Sequence, residues 1–348
     1  MQHTIEAAVL CDGLLKIESL KIEGPRDDEV LVRMVASGIC RTDLDFLGDS
    51  MILGHEGAGV AEIVGARVKG IQRGDHLVLS YQSCGSCAEC RRGHPARCEL
   101  FWKLNFGFSR MDGSTAYKGA RGHFFGQSSF ATHTVVTERA IVKVSKTLDL
   151  SLLAPLGCGL QTGAGTIMNS LKVKKGTSVA IFGIGSVGLA AVMAARIKGA
   201  DRIIGVDVKP GRLACALELG ATHVVDGRDE AALSALIRMG EVDYAVDTTG
   251  DEATYRCAVS MMKPKGVLAL LAGSASSGRL PGGGEAIGVI QGDAVPQRFI
   301  PKLIDLYCEG LFPFDRLVTF YDFQEINTAI DDFQRGDTIK PVLRIGEV

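Results

Sequence analysis

The stretch Ser178–Asp207, SVAIFGIGSVGLAAVMAARIKGADRIIGVD, constrains the fold of this chain more than any other. The apolar run Val179–Phe182 reads as a buried strand and leads into Gly183-Ile184-Gly185-Ser186-Val187-Gly188. An Ala-rich helical segment follows, then a second apolar run, Ile203–Val206, that ends at Asp207. Gly183 lets the chain turn sharply out of the strand, Gly185 lets backbone approach a pyrophosphate, and Gly188 lets the helix pack on the sheet. The helix N-terminus offers free N–H groups and a positive dipole end to phosphate. Asp207 sits where a carboxylate accepts hydrogen bonds from an adenosine ribose. Gly183, Gly185, Ser186, Val187, Gly188 and Asp207 are therefore the candidate dinucleotide-binding residues. A glycine motif alone is weak; one set between two strands, opening a helix and followed by an acid, is specific.

At 348 residues the chain is long enough for two domains, each with its own core. Charges of both signs are interspersed, and the net charge of −2 argues against nucleic acid or an anionic membrane as partner. No apolar run approaches a membrane span, and MQHTIEAAVL lacks the pattern of a signal peptide, so a cytoplasmic protein is expected. Ten cysteines in such a chain direct attention to metals or catalysis before disulfides.

Up to about Val144 the chain is strand-rich and broken by Gly, Pro and Asp, with strands expected at Glu6–Leu10, Glu29–Ala36, Ala58–Val68 and Asp75–Ser80. From about Ser151 strands alternate with helices. Strands are expected at Val179–Phe182, Ile203–Asp207, His223–Val225, Tyr244–Asp247 and Val267–Leu271, with an edge strand at Ala286–Ile290. That alternation is the mark of a doubly wound parallel sheet, an α/β Rossmann domain. A strand at Pro341–Ile345 ends the chain's periodic structure.

Cys84, Cys87, Cys90 and Cys98 are spaced x2, x2 and x7 in a loop rich in Gly, Arg and Ser. Four soft ligands this close wrap one tetrahedral ion, and an all-cysteine shell is structural. Zinc is the expected ion; an iron–sulfur cluster is the rival. A second set is dispersed: Cys40 in GICRTD, His55 in GHEG and Cys158 in GCG. Each alone reads as a buried residue, but together two thiolates and an imidazole make a three-ligand zinc site with a fourth position for substrate. Asp43 and Glu56 are the carboxylates beside it, suited to orienting an imidazole and tuning the metal. Cys11, Cys215, Cys257 and Cys308, and the remaining histidines, carry no ligand spacing.

These motifs together resemble the zinc-containing medium-chain alcohol dehydrogenases, most closely the aryl-alcohol (benzyl-alcohol) branch. GCGLQTGAG (157–165), QSSFATH (127–133), LELGATHVVD (217–226) and the segment 299–330 carry the likeness. It implies a catalytic zinc on Cys40, His55 and Cys158 and a structural zinc on Cys84, Cys87, Cys90 and Cys98, two zinc ions per subunit, with NAD at Gly183–Gly188. It implies a split chain, with residues 1–158 and 292–348 forming a strand-rich GroES-like catalytic domain with a zinc lobe around a Rossmann domain at 159–291. By resemblance Thr42 hydrogen-bonds the alcohol oxygen and relays its proton, Thr162 packs beside the nicotinamide, and Arg41 and Lys340 lie near the pyrophosphate. Asp45 departs from the pattern: many animal relatives carry a histidine there as the end of the proton relay. A homo-oligomer, dimer or tetramer, is also implied.

The expected activity is reversible, NAD-linked oxidation of primary aromatic or allylic alcohols to aldehydes. Alternatives are an NADPH-linked aldehyde reductase of the same superfamily, or a dehydrogenase for long-chain or terpenoid alcohols. A nucleic-acid-binding zinc module would need a basic face, and a net charge of −2 with only short basic clusters such as Arg91-Arg92 disfavours it. Ser80 stands where many ethanol-active animal enzymes carry an aromatic, which implies a wider pocket. Between Cys40 and His55 only fourteen residues intervene, fewer than relatives have, so the substrate-side loop is short.

Overall fold

The computed structural model describes residues 2–11, 13–46, 50–238, 240–273 and 277–348. The chain divides into two compact units. The first comprises Met1–Cys158, Val295–Lys302 and Asp315–Val348; the second comprises Gly159–Ala294 and Leu303–Phe314. Residues 303–314, which the sequence reading grouped with the catalytic part, pack with the second unit.

The first unit begins with β1 (Gln2–Cys11), β2 (Leu14–Glu23), β3 (Glu29–Gly38), β4 (Glu56–Val64) and β5 (His76–Leu79). β6 (Tyr117–Lys118), β7 (His133–Thr137) and β8 (Ile141–Val144) complete its N-terminal part. β1, β2 and β6 form a small antiparallel sheet. β3 is the hub of the larger one: it pairs with β4 along most of its length and with β7 at its start. All but one of its residues are buried, as a strand with neighbours on every side must be. Leu31, Ile52, Tyr117 and Val135 pack on one side of this framework, and Val30, Met34, Leu77 and Ile141 on the other.

The second unit holds β9 (Ser178–Phe182), β10 (Arg202–Asp207), β11 (His223–Asp226), β12 (Val242–Asp247), β13 (Met262–Leu270), β14 (Gly278–Arg279) and β15 (Glu285–Gly288). Their order is β11-β10-β9-β12-β13-β15-β14, parallel except for β14. The central strand β9 is buried at every residue. Chain direction across the sheet reverses at β9, and the loop leaving its C-terminal end is the switch point where such folds bind ligands. Ala180, Phe182, Ile204, Leu236 and Leu268 belong to one core cluster of this unit. The expectation of an open edge at Ala286–Ile290 is corrected: β15 lies between β13 and the two-residue β14, and both residues of β14 are exposed.

The chain then returns to the first unit, where β16 (Val318–Asp322) and β17 (Lys340–Arg344) extend the large sheet, β17 pairing with the end of β3. This brings Lys340 beside Ile39, next to Cys40. No helix among the described residues is long and apolar enough to cross a membrane.

Candidate active site

Backbone geometry at three element ends gathers the dispersed ligand set. Cys40 caps the short helix Arg41–Asp45 just after β3, His55 immediately precedes β4, and Cys158 follows the single turn Ala154–Gly157. The ligand atoms of Cys40, His55, Glu56 and Cys158 all lie within 4.8 Å of one another. Asp43 is buried and does two jobs: one oxygen accepts from the Cys40 backbone N–H at 2.8 Å, the other lies 2.8 Å from His55 Nδ1. That contact directs His55 Nε2 toward the cluster, where it is buried with no hydrogen-bond partner among the described residues. An orphaned imidazole nitrogen facing two thiols is the donor set zinc takes.

Electrostatics agree with a cation there. The adjoining Cys158 holds the Cys40 thiol well below its ordinary value, outweighing burial, with help from the Lys340 ammonium. Burial disfavours charge on His55, but the Asp43 carboxylate and the Cys40 sulfur overcome it and raise its protonation to about 10. Positive charge at this ring is thus favoured by its surroundings, whether proton or metal.

The clustered cysteines also converge, with all four sulfurs within 4.8 Å. Backbone N–H groups aim at them: Cys87 and Ser86 donate to Cys84 Sγ at 3.3 and 3.5 Å, Cys90 to Cys87 Sγ at 3.4 Å, and Cys84 to Cys98 Sγ at 3.3 Å. Although burial opposes it, the donors at Cys84 bring that thiol down to about 6. Burial pushes the Cys90 thiol up to about 12 and raises Cys98 as well, so what fits a four-thiolate metal shell is the convergence of the sulfurs and their backbone donors.

In the second unit, Gly183 has φ +85°, a turn that β-carbon-bearing residues rarely make. A β-carbon at Gly188 would lie 2.0 Å from the Gly183 carbonyl oxygen, so helix and strand meet there closely. Around Gly185, by contrast, a β-carbon would meet nothing within 4 Å. This open ledge lies at the N-terminus of the helix Ser186–Ile197, with room and backbone N–H groups of the kind a pyrophosphate uses. Asp207 is 8% exposed; it accepts from the Ile184 N–H at 2.6 Å and the Lys209 N–H at 2.9 Å. The residues present fit both zinc and a dinucleotide.

Known proteins bear on this geometry. Residues 26–146 match the alcohol dehydrogenase GroES-like domain, and residues 186–285 the zinc-binding dehydrogenase family. Geraniol dehydrogenase of Castellaniella defragrans is 43% identical, with 97% of each chain covered. The chain belongs to the zinc-containing medium-chain alcohol dehydrogenases. The benzyl alcohol dehydrogenase of Acinetobacter calcoaceticus has a TM-score of 0.94 and 41% identity, covering 99% of this chain and 100% of that one. An alcohol dehydrogenase zinc-binding domain protein from Burkholderia ambifaria has a TM-score of 0.95 and 44% identity, covering 100% of each.

For this alcohol dehydrogenase the structure also locates the other residues singled out in the sequence. Thr42 is half-buried in the first turn after Cys40. Arg41 is exposed, with Nε 3.4 Å from Asp45 one turn on. Of the fourteen residues between Cys40 and His55, 47–49 lie outside the described residues. Thr162 is half-buried in the helix Gly159–Gly165. The Ser80 hydroxyl, fully buried, donates to the Gly157 carbonyl at 2.7 Å.

Lys340 takes a place the sequence did not suggest. Its ammonium is fully buried, donating to both Glu56 oxygens at 3.0 Å and to the Ile39 carbonyl at 2.9 Å. Burial pushes the Glu56 carboxyl up to about 7, against the pull of Lys340. Gln127 was visible only as part of a family motif. Its side-chain amide donates to the carbonyls of His55 at 2.9 Å and Ser80 at 3.3 Å and accepts from the Gly57 N–H at 3.2 Å. Arg212 was not anticipated either; its guanidinium lies 3.8 Å from Asp207. No local pattern in the sequence marks these roles.

Proposed function

We propose that this alcohol dehydrogenase oxidises primary aromatic or allylic alcohols to aldehydes, reversibly, with NAD as hydride acceptor. The supporting observation is a run of aromatic rings that starts at the metal ligand His55. Phe125 stacks on the imidazole at 4.4 Å, and Phe106 meets Phe125 edge-on at 5.1 Å. Phe106 in turn stacks on Phe46 at 4.7 Å and on Trp102 at 5.1 Å. Trp102 is 64% exposed, so the rings run from a buried ligand to the surface. These rings make the surroundings of the ligand set apolar and aromatic, which suits an alcohol with a ring or double bond next to the reacting carbon. Ser80 adds no bulk, and the names of the geraniol and benzyl alcohol relatives support the same class.

In this reading Cys40, His55 and Cys158 hold the catalytic zinc, and Cys84, Cys87, Cys90 and Cys98 the structural one. When bound, zinc supplies a Lewis acid for the alcohol oxygen and the nicotinamide accepts the hydride. Asp43 accepts the His55 Nδ1–H and so fixes the tautomer in which Nε2 keeps its lone pair for the metal. The Thr42 hydroxyl takes the proton the alcohol gives up and passes it outward; with Asp45 in place of a histidine, the exit is through other groups. Gly183, Gly185, Ser186, Val187 and Gly188 hold the pyrophosphate with Arg41, Asp207 holds the adenosine ribose, and Thr162 packs beside the nicotinamide. Lys340 is assigned to Glu56, on which its ammonium is buried. Asp207 repels a 2′-phosphate, while Arg212 and Lys209 moderate that repulsion, so NAD is preferred by roughly tenfold, about 1.4 kcal/mol.

A cytoplasmic homo-oligomer, dimer or tetramer, is part of the same proposal. Its support is membership of this family; the exposed two-residue strand β14 does not itself call for pairing, because an edge that short offers little to pair with. Initial rates with a panel of alcohols and both cofactors test the catalytic reading.

A further inference from the structure

The segment His123–Ser128 carries a concentration of unfavourable backbone that packing alone does not require. His123, Phe125 and Ser128 have φ of +61°, +55° and +58°, left-handed values that residues with a β-carbon rarely adopt, and Gly126 lies between them at +65°. Such strain persists only where the surroundings over-determine it, and it gathers at functional sites. Here the surroundings are explicit. Ser128 Oγ donates to the Ile52 carbonyl at 2.6 Å and accepts from the Phe124 N–H at 2.9 Å. His123 Nε2 accepts from the Ala116 N–H at 3.0 Å, and Gln127 ties the segment to the His55 carbonyl.

The product of this bracing is the position of one ring. Phe125, 3% exposed, lies against the His55 imidazole at 4.4 Å with 25° between planes, while Phe124 meets the same imidazole edge-on at 5.5 Å. The Asp43 contact at Nδ1 limits rotation about the Cβ–Cγ bond of His55, but a single contact leaves the ring plane able to rock. A flat face packed against it removes that motion. A glycine at residue 125 would make the same turn without strain, so the cost is borne for the ring.

We propose that Phe125 is a positioning residue for His55: held in a left-handed turn, its ring sets the plane of the imidazole and so the direction of Nε2. The inference rests on a metal being held by Cys40, His55 and Cys158, which elemental analysis of the unmodified protein tests separately.

The experiment uses the metal-loaded enzyme and the variants Phe125→Gly, Phe125→Leu and Phe125→Tyr. Metal release to excess chelator is followed in time, with the four-cysteine site as internal control, and cobalt-substituted samples give visible spectra. Phe125→Gly and Phe125→Leu are expected to release the catalytic-site metal at least about tenfold faster, with the second release phase unchanged and the cobalt bands displaced. Phe125→Gly relieves the turn but also removes a buried ring, so its unfolding midpoint should fall; the readout that bears on the proposal is the contrast between the two release phases. Phe125→Tyr, which keeps the ring, should restore both readouts. Release rates and cobalt spectra matching the unmodified enzyme in Phe125→Gly and Phe125→Leu would overturn the proposal, as would a Phe125→Tyr variant no better than Phe125→Leu.

Discussion

The Lys340 ammonium lies 3.0 Å from both carboxylate oxygens of Glu56, and neither side chain is exposed. The pair joins the last strand of the chain to the strand that begins beside His55. Its two members are 284 residues apart.

Removing one member leaves a buried charge without its partner. Lys340→Met is therefore expected to lower unfolding free energy by about 3–5 kcal/mol, whereas Lys340→Met combined with Glu56→Gln should recover part of that loss. Urea unfolding of the metal-loaded proteins measures both. A single variant as stable as the parent would show that the pair contributes nothing.

The two metal sites should separate by phenotype. Cys87→Ala is expected to lose one of two zinc ions and with it stability, since metal binding energy at a closed thiolate shell is folding energy. Cys158→Ala should lose the other zinc and activity while its unfolding midpoint stays near the parent value. Elemental analysis beside thermal unfolding checks this; iron in place of zinc, or one zinc in the parent, would refute it.

How much of this was open to the sequence alone depended on chain distance. The four clustered thiols and the Gly183–Asp207 motif are local, and their chemistry follows from spacing. The strands of the second unit were likewise readable because buried parallel strands are continuous apolar runs. Cys40, His55 and Cys158 are far apart in sequence and gained meaning only as a set. The resemblance set Lys340 near the pyrophosphate, and nothing near it in sequence shows that β17 pairs with β3 and buries its ammonium on Glu56. Phe125 gave no signal at all: a phenylalanine in a left-handed turn is the reverse of what turn chemistry favours, and only tertiary bracing holds it there.

His123 should make the fold sensitive to acid. Burial, aided by the Arg110 and Arg26 charges, depresses its imidazole to about 3, while its ordinary value is 6.5. Between pH 6.5 and 3 the unfolded chain binds a proton that the folded chain does not. Stability from this residue is therefore present above pH 6.5 and falls with decreasing pH, by up to about 1.4 kcal/mol per pH unit. Urea midpoints from pH 7 to 5 should decline less steeply in His123→Gln than in the parent. Parallel profiles would contradict the assignment.

Steady-state kcat/KM for benzyl alcohol, cinnamyl alcohol, geraniol and ethanol, measured with NAD by NADH absorbance and repeated with NADP, tests the central claim most directly. The ring array beside His55 predicts that each unsaturated alcohol exceeds ethanol by well over tenfold, since an apolar pocket gains about 1–3 kcal/mol per added methylene-sized group. The three should differ modestly among themselves, and the Asp207 carboxylate predicts that NAD exceeds NADP. Ethanol turned over as efficiently as the unsaturated alcohols, or no alcohol-dependent NADH at all, would contradict the account.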